Sequence, residues 1–191
     1  MGAGSGAVSC GLAGRPAGHD LAGRAPLPVE VQESFERITR ARLVEGYGLS
    51  EAGPVTHSNP LGDTGRHGFI GLPLPSTEAR IVDVATGADL LAGQIGELLI
   101  RGPQVMQGYW NQPAETADVM RDGWLRTGDV GHMDSDGYVT ITDRQKDMII
   151  VSGFKVYPSE IESIVAAIPG VLECGVVGVP DAKTGEAVKV V

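Results

Sequence analysis

Cysteine, aromatic residues, positive charge and long apolar runs are all scarce in this chain, and each scarcity closes off a class of function. The two cysteines, Cys10 and Cys174, lie far apart and outside any Cys-x-x-Cys pattern. They give neither a disulfide framework nor a zinc site, and a reduced, cytoplasmic setting is the expectation. The four histidines, His19, His57, His67 and His132, lack metal-ligand spacing and are expected at the surface. Lysine and arginine total 15 against 24 acids, a net charge of −9, so neither a nucleic-acid groove nor adhesion to an anionic membrane is expected. No apolar run approaches the roughly 20 residues that a transmembrane helix needs.

Enough apolar material remains for a core, because 42% of the 191 residues are hydrophobic, which can build one good core or two small ones. Glycine is unevenly spread. Seven fall within residues 1–24, interleaved with Ala and Ser and without strand or helix period, so that segment is expected to be irregular. It is not expected to be an export signal, because its first charge is Arg15 and glycines split the stretch from Ala7 to Ala13. Gly2-x-Gly4-x-x-Ala7 fits a dinucleotide fingerprint only loosely, with no strand before it and no helix after it. The change of composition just before Ala25-Pro26-Leu27-Pro28 leads to the expectation that residues 1–24 come from a shifted start and lack regular packing.

Behind Pro28, which suits a first helical turn, Val31, Phe35 and Ile38 recur at i, i+4 and i+7 and predict an amphipathic helix of about three turns. Residues 42–45 read as a short strand running into Gly46-Tyr47-Gly48-Leu49-Ser50-Glu51-Ala52-Gly53. One reading is a glycine-rich turn with a surface glutamate. The other is a site: Gly46 and Gly48 let the backbone approach a nucleotide, Tyr47 offers a stacking face, Ser50 donates to phosphate and Glu51 holds a hard metal. From 60 to 108 the pattern is all β, with strands at 78–83 and 96–101, as in a small barrel or sandwich, and 113–120 forms a short helix.

The rest of the chain is organised around residues 124–160. Residues 124–130 read as a strand interrupted by Thr127-Gly128-Asp129, and Asp134-Ser135-Asp136-Gly137 supplies hairpin chemistry before a half-buried strand at 138–142. Five consecutive polar residues, Asp143 to Asp147, cannot sit in a buried strand and mark a surface joint. A short apolar strand at 148–151 is broken by Ser152-Gly153, where a ligand can come close to the backbone. Ser159-x-x-Glu162 forms a capping box for a helix with Ile161, Ile164, Val165 and Ile168 along one stripe, ended by Pro169-Gly170. Strands follow at 172–179 and 186–191, the chain stopping inside the second.

Three segments together carry a family likeness: residues 45–51 (Glu-Gly-Tyr-Gly-Leu-Ser-Glu), residues 123–129 (Gly-Trp-Leu-Arg-Thr-Gly-Asp), and residues 143–149 continuing through Gly153-Phe-Lys-Val-Tyr-Pro-Ser-Glu-Ile161. In order and spacing they resemble the adenylate-forming enzymes, specifically the long-chain fatty-acid–CoA ligase group of AMP-dependent synthetases, over residues 25–191. The resemblance implies a mixed α/β fold. Residues 25–142 would be the C-terminal part of a large AMP-binding domain with its β-barrel, 143–147 a hinge, and 148–191 the start of a small α+β domain. It implies a ligase that joins a carboxylic acid to coenzyme A through an acyl-adenylate, using ATP and Mg²⁺. Gly46, Tyr47, Gly48, Ser50, Glu51, Asp129, Ile141 and Arg144 would then bind the nucleotide, with Tyr47 facing adenine and Asp129 and Arg144 at the ribose. Glu51 would hold the Mg²⁺, Lys146 would be the hinge and Gly153 would let pantetheine pass. Lys155 would stand near the acyl-adenylate or CoA, making Ser50, Glu51 and Lys155 the candidate catalytic residues. A homodimer is conceivable for the intact enzyme.

Departures from the family pattern qualify this. No Ser/Thr/Gly-rich loop with a lysine, the element that grips the β- and γ-phosphates, occurs in the sequence, and the family's C-terminal lysine is missing, so the chain alone is expected to be inactive. Ser50 stands where Thr is usual, and Arg24 would crowd the adenine pocket. Peptide-synthetase adenylation domains, luciferase-like enzymes and a non-catalytic nucleotide-binding remnant remain open. A rival of another class, a calcium-binding EF-hand at 132–143, matches the loop at its third, fifth, sixth and eighth positions. It has His132 first and Asp143 last, between flanks that alternate as strands.

Overall fold

The computed structural model of the chain describes residues 7–12, 29–53, 55–61 and 64–191, with the backbone alone described at 7–12, 29 and 30. Its elements run β1 (Ala7–Leu12), α1 (Val29–Thr39), β2 (Leu43–Gly48), β3 (Val55–Ser58), β4 (Leu72–Pro73), β5 (Glu78–Val82) and β6 (Gly96–Arg101). Then come α2 (Pro113–Val119), β7 (Met120–Arg121), β8 (Trp124–Met133), β9 (Val139–Arg144), β10 (Ile149–Val151), β11 (Phe154–Val156), α3 (Pro158–Ala166), β12 (Val176–Asp181) and β13 (Gly185–Val190). The strands make three sheets, ordered β1-β2-β3-β4, β5-β6-β8-β7 with β9 on β8, and β11-β10-β13-β12. Every pairing is antiparallel.

The first strand is a correction to the sequence reading. β1 pairs with β2 along its full length, Cys10 opposite Glu45 and Leu12 opposite Leu43. A segment of weak strand propensity still satisfies its backbone groups when a neighbouring strand offers an edge, and tertiary pairing outweighs propensity here. The idea of a shifted start rested on an irregular segment, and it loses that support. The expectations attached to residues 1–6 and 13–28, including the dinucleotide fingerprint, Arg24 and Pro28, lie outside the described residues.

Helix α1 forms where its periodicity predicts but turns the other way. Val31 and Ile38 are 46% and 79% exposed, while Gln32 is buried, donating from Nε2 to Leu43 O at 2.9 Å, and Glu36 accepts from Leu43 N at 2.9 Å. Two side-chain hydrogen bonds to the first residue of β2 decide the orientation, since an amide placed inside must find partners. The histidine expectation is also overturned for His57, which is fully buried on β3, its ring edge-on to Tyr47 at 5.8 Å.

The large core lies under the second sheet, built from Leu49, Ile70, Leu98, Ile100, Leu125 and Val139. β6 is buried over its first five residues, the pattern of a strand covered on both faces. Its partner β8 carries the anticipated interruption as a bulge: Leu99 faces Arg126 and Glu97 faces Val130, so Thr127, Gly128 and Asp129 stand opposite Leu98 alone, with Gly128 at φ +72°. The 134–137 turn closes the β8–β9 hairpin. There Asp134 Oδ1 accepts from the N–H groups of Asp136 and Tyr138, and Gly137 takes φ +88°.

Residues 143–147, expected as a joint, are a strand end followed by a 3₁₀ turn, Gln145–Asp147, in which Lys146 and Asp147 are exposed. Beyond it, α3 forms without the expected capping box: its N-cap is Tyr157, with no side-chain cap. Ser159 Oγ instead donates to Thr142 O, Asp143 Oδ2 accepts from Ser159 N at 3.1 Å, and Glu162 Oε1 accepts from Val176 N at 2.8 Å. The box residues thus tie the helix to β9 and β12, and the helix's orphan amide is met from another strand. The Ile stripe is only partly covered, Ile164 and Ile168 being 70% and 53% exposed, and the strand read from 172 begins at Val176.

Candidate functional site

The β8 bulge builds the first half of the site. Thr127 Oγ1 donates to Leu98 O at 2.7 Å and accepts from Asp129 N at 3.1 Å, which holds the loop against β6 and turns Asp129 inward. Its carboxylate, only 3% exposed, accepts from Tyr47 Oη at 2.6 Å through Oδ2 and faces Arg144 Nε at 3.2 Å through Oδ1. Pairing of Asp129 with Arg144 across β8 and β9 brings the last two together. Burial pushes the Asp129 carboxyl above its usual range, opposed by the Tyr47 hydrogen bond and the Arg144 charge. The Tyr47 phenol is pushed well up, by burial first and by the Asp129 charge second.

The second half surrounds Glu51, which sits in the 3₁₀ turn Ser50–Ala52 after β2. Gly53 ends that turn at φ +53°, where a Cβ would stand 3.0 Å from Gln104 O. Glu51 is 8% exposed; Oε1 accepts from Tyr109 Oη at 2.9 Å, and Oε2 is buried with no hydrogen-bond partner. Burial and the Glu51 hydrogen bond push the Tyr109 phenol up to about 12. A cleft of about 270 Å³ opens here, lined by Glu51, Tyr109, Glu97, Arg126, Thr127 and Gln145 among others. Glu97, 1% exposed, takes Arg126 Nη2 at 2.6 Å on Oε2 and Gly128 N at 3.2 Å on Oε1, so the buried charge pins the bulge from below.

The structure thus joins Tyr47, Asp129 and Arg144 in one cluster and sets Glu51, but not Ser50, in the lining of the neighbouring cleft. Several expectations change. Gly46 and Gly48 belong to a paired strand rather than a loop, opposite Ser58 and Val55 of β3. Tyr47 presents no open stacking face, because packing against the core leaves it 3% exposed. Ile141 lies on β9 and packs against the same core. Ser50 is exposed beside Glu51, and Lys146 is exposed in the 3₁₀ turn after β9. Gly153 turns between β10 and β11 at φ +86° with nothing within 4 Å of an added Cβ. Lys155 lies outside the cleft and pairs with Asp83 at 3.5 Å. The EF-hand rival fails. Its loop joins two strands, and Arg66 pairs with both Asp134 and Asp136 at 2.5 Å while lying over the Tyr138 ring. Among the described residues no three His, Cys, Asp or Glu side chains gather as a metal site.

Sequence reasoning missed Glu97, Arg126 and Tyr109. A single acid inside the otherwise apolar 96–100 run was the available sign for Glu97, because a charge in such a strand demands a partner. Tyr109 carried only the weak sign of an aromatic after Gly108.

Comparison with known proteins places the chain in a family. Residues 15–110 match the family described as AMP-binding enzyme and residues 160–191 match the AMP-binding enzyme C-terminal domain; the chain belongs to the AMP-binding enzymes. Among its relatives is the long-chain-fatty-acid–CoA ligase of Bacillus subtilis, 52% identical over 169 residues that cover 88% of this chain and 30% of the relative. The chain therefore spans about 30% of the length of the first curated relatives. Among solved structures, ATP-bound MatB from Rhodopseudomonas palustris superposes with a TM-score of 0.81 at 43% identity, covering 87% of this chain and 33% of that one. The o-succinylbenzoate CoA synthetase MenE of Bacillus subtilis, in complex with its acyl-adenylate intermediate, gives 0.73 at 29% identity, covering 86% and 34%. The fold is the mixed α/β arrangement of adenylate-forming enzymes. The family match starts at residue 15, ahead of the expected boundary at 25. No helix among the described residues is long and apolar enough to cross a membrane.

Proposed function

We propose that this chain serves an ATP- and CoA-dependent ligase for long-chain fatty acids. The observation that carries the reading is the meeting of Tyr47, Asp129 and Arg144, one from each of the three family-like segments, beside a glutamate with a bare buried oxygen. In the first half-reaction a carboxylate oxygen of the acid attacks the α-phosphorus of ATP, and diphosphate leaves with the electrons of the broken P–O bond. In the second, the CoA thiolate attacks the acyl carbonyl carbon and AMP leaves. Both steps gather negative charge on oxygen, so fixed donors and neutralising charge carry the rate.

Asp129 accepts from the ribose hydroxyls through the lone pairs that Tyr47 and Arg144 leave unused, and Tyr47 keeps that carboxylate aimed. Arg144 moves with the joint next to it, so the ribose contact and rotation about Lys146 are coupled. Ser50 donates its hydroxyl to a phosphate oxygen. Glu51 Oε2, buried and unpartnered, suits a hard divalent cation, which seeks carboxylate oxygen. When bound, Mg²⁺ supplies charge neutralisation at the phosphates. Gly153, with open space around it, lets pantetheine pass. Lys155 comes to the acyl group only after releasing Asp83.

The sequence holds no Ser/Thr/Gly-rich loop with a lysine for the β- and γ-phosphates, so the 191 residues alone bind nucleotide without measurable turnover. The test is acid-dependent diphosphate release by the product of the longest reading frame that contains this chain. Release supported by fatty acids, with acyl-CoA formed, bears the reading out. Release supported by amino acids alone moves the assignment to the peptide-synthetase branch.

A further inference from the structure

We propose that Tyr109 is a positioning residue for Glu51, holding Oε1 so that Oε2 is the one carboxylate oxygen presented to a divalent cation. This rests on the reading of Glu51 given above. Three buried acids stand at this site, and two of them have both oxygens engaged by protein donors. Glu97 is held by Arg126 and Gly128 N, and Asp129 by Tyr47 and Arg144. Glu51 differs, with Oε1 taken by Tyr109 and Oε2 buried and bare. Buried carboxylate oxygens are ordinarily satisfied, so an oxygen left bare beside a saturated one marks a place kept for a ligand.

The phenol is aimed by construction. Gly108 takes φ +149°, and a Cβ there would stand 2.6 Å from Thr116 Cγ2, so only glycine lets the segment lie this close to α2. From there Tyr109 N donates to Thr116 Oγ1 at 2.9 Å, and Thr116 Oγ1 donates to Gln112 O at 2.8 Å. At the other end of the segment Met106 N donates to Glu51 O at 2.8 Å. The loop is therefore bound both to α2 and to the glutamate's own backbone, which leaves the Tyr109 ring little freedom relative to the carboxylate. A partner that orients a ligating carboxylate in this way typically alters metal affinity about 10- to 100-fold.

The experiment uses Mn²⁺ as the probe, titrated into the 191-residue protein with and without ATP and followed by the electron paramagnetic resonance signal of free Mn²⁺. Wild type, E51Q, Y109F, T116V and the double variant E51Q/Y109F are compared, each checked by thermal melting. E51Q should abolish the site. Y109F should weaken Mn²⁺ binding about 10- to 100-fold, and it should add nothing in the E51Q background, the signature of two groups acting as one unit. T116V, which frees the Tyr109 backbone while leaving the phenol in place, should weaken binding by a smaller factor and stands in if Y109F does not fold. If Y109F and T116V bind Mn²⁺ as wild type does while E51Q does not, the role of Tyr109 falls and that of Glu51 stands. If wild type and E51Q do not differ, the cation reading of Glu51 falls and this inference falls with it.

Discussion

The Tyr47 phenol donates a 2.6 Å hydrogen bond to Asp129 across 82 positions of sequence, and both groups are 3% exposed. Tyr47→Phe leaves that carboxylate oxygen without its donor, so unfolding in urea should show a loss of about 1–3 kcal/mol. Burial and the Asp129 charge raise the folded-state phenol above its ordinary value. Its contribution is thus present below pH about 10 and is lost as pH rises further through the folded value. Spectrophotometric titration should show one tyrosine that ionises only on unfolding, and Y47F should remove it.

Burial lowers the His57 imidazole to about 4 from its ordinary 6.5. Folding therefore favours the neutral ring: its stabilising effect is full above the unfolded value, falls away between about pH 6.5 and 4, and changes no further below that. The shift corresponds to a swing on the order of 3 kcal/mol. Asp129 acts in the opposite sense, since its raised carboxyl becomes easier to bury as it protonates. Chemical denaturation of wild type and H57Q across this range isolates the histidine. Parallel curves for the two would overturn the assignment.

Glu97 and Arg126 test whether a buried charge, rather than an ion pair as such, is what matters here. Glu97 is 1% exposed, so Arg126→Ala strands its charge and should cost about 3–5 kcal/mol, while loosening the bulge that carries Asp129. Glu78, whose side chain is 59% exposed in its pair with Arg101, should lose far less as Glu78→Gln, because solvent screens an exposed pair. Equal effects in urea titration would refute the distinction.

Two glycines separate close approach from backbone strain. A methyl on Gly131 would be driven into Thr140 O, and the β8–β9 ladder has no way to yield without moving Asp129 from Arg144. Gly131→Ala is expected to give no stable fold or to lose more than about 3 kcal/mol. Gly185 takes φ +81° with nothing within 4 Å of an added Cβ, so Gly185→Ala meets strain alone, about 1–2 kcal/mol. Thermal melting of the two variants measures the difference.

The 191-residue protein should form no acyl-adenylate above a buffer blank when supplied with ATP, Mg²⁺ and fatty acid. Positioning of the triphosphate supplies much of the barrier lowering in such chemistry, and no loop for it is present in the sequence. AMP binding, read by calorimetry, should persist in wild type and weaken in Asp129→Asn. Turnover by the purified chain would remove the argument from the missing loop.

By itself the amino-acid sequence determined where most elements lie and which segments meet at the candidate site. An apolar run marked β6 and alternation marked β9, Asp136-Gly137 marked the hairpin turn, five polar residues marked the end of β9 and its 3₁₀ turn, and three segments marked the candidate site around Glu51, Asp129 and Arg144. Periodicity and turn chemistry are local: they depend on neighbours along the chain, and those are legible in one dimension. Only the tertiary structure decided which way each element faces and whom each polar group meets. It turned α1 onto Gln32 instead of Val31 and Ile38, buried Tyr47 and His57, and gave Ala7–Leu12 a strand partner. It also moved Ser159 and Glu162 from a helix cap to neighbouring strands, and brought Tyr109 to Glu51 from 58 residues away. The physical reason is common to all of these. A buried donor or acceptor must be satisfied, and the group that satisfies it is chosen by strand pairing across the fold, which leaves no period in the sequence.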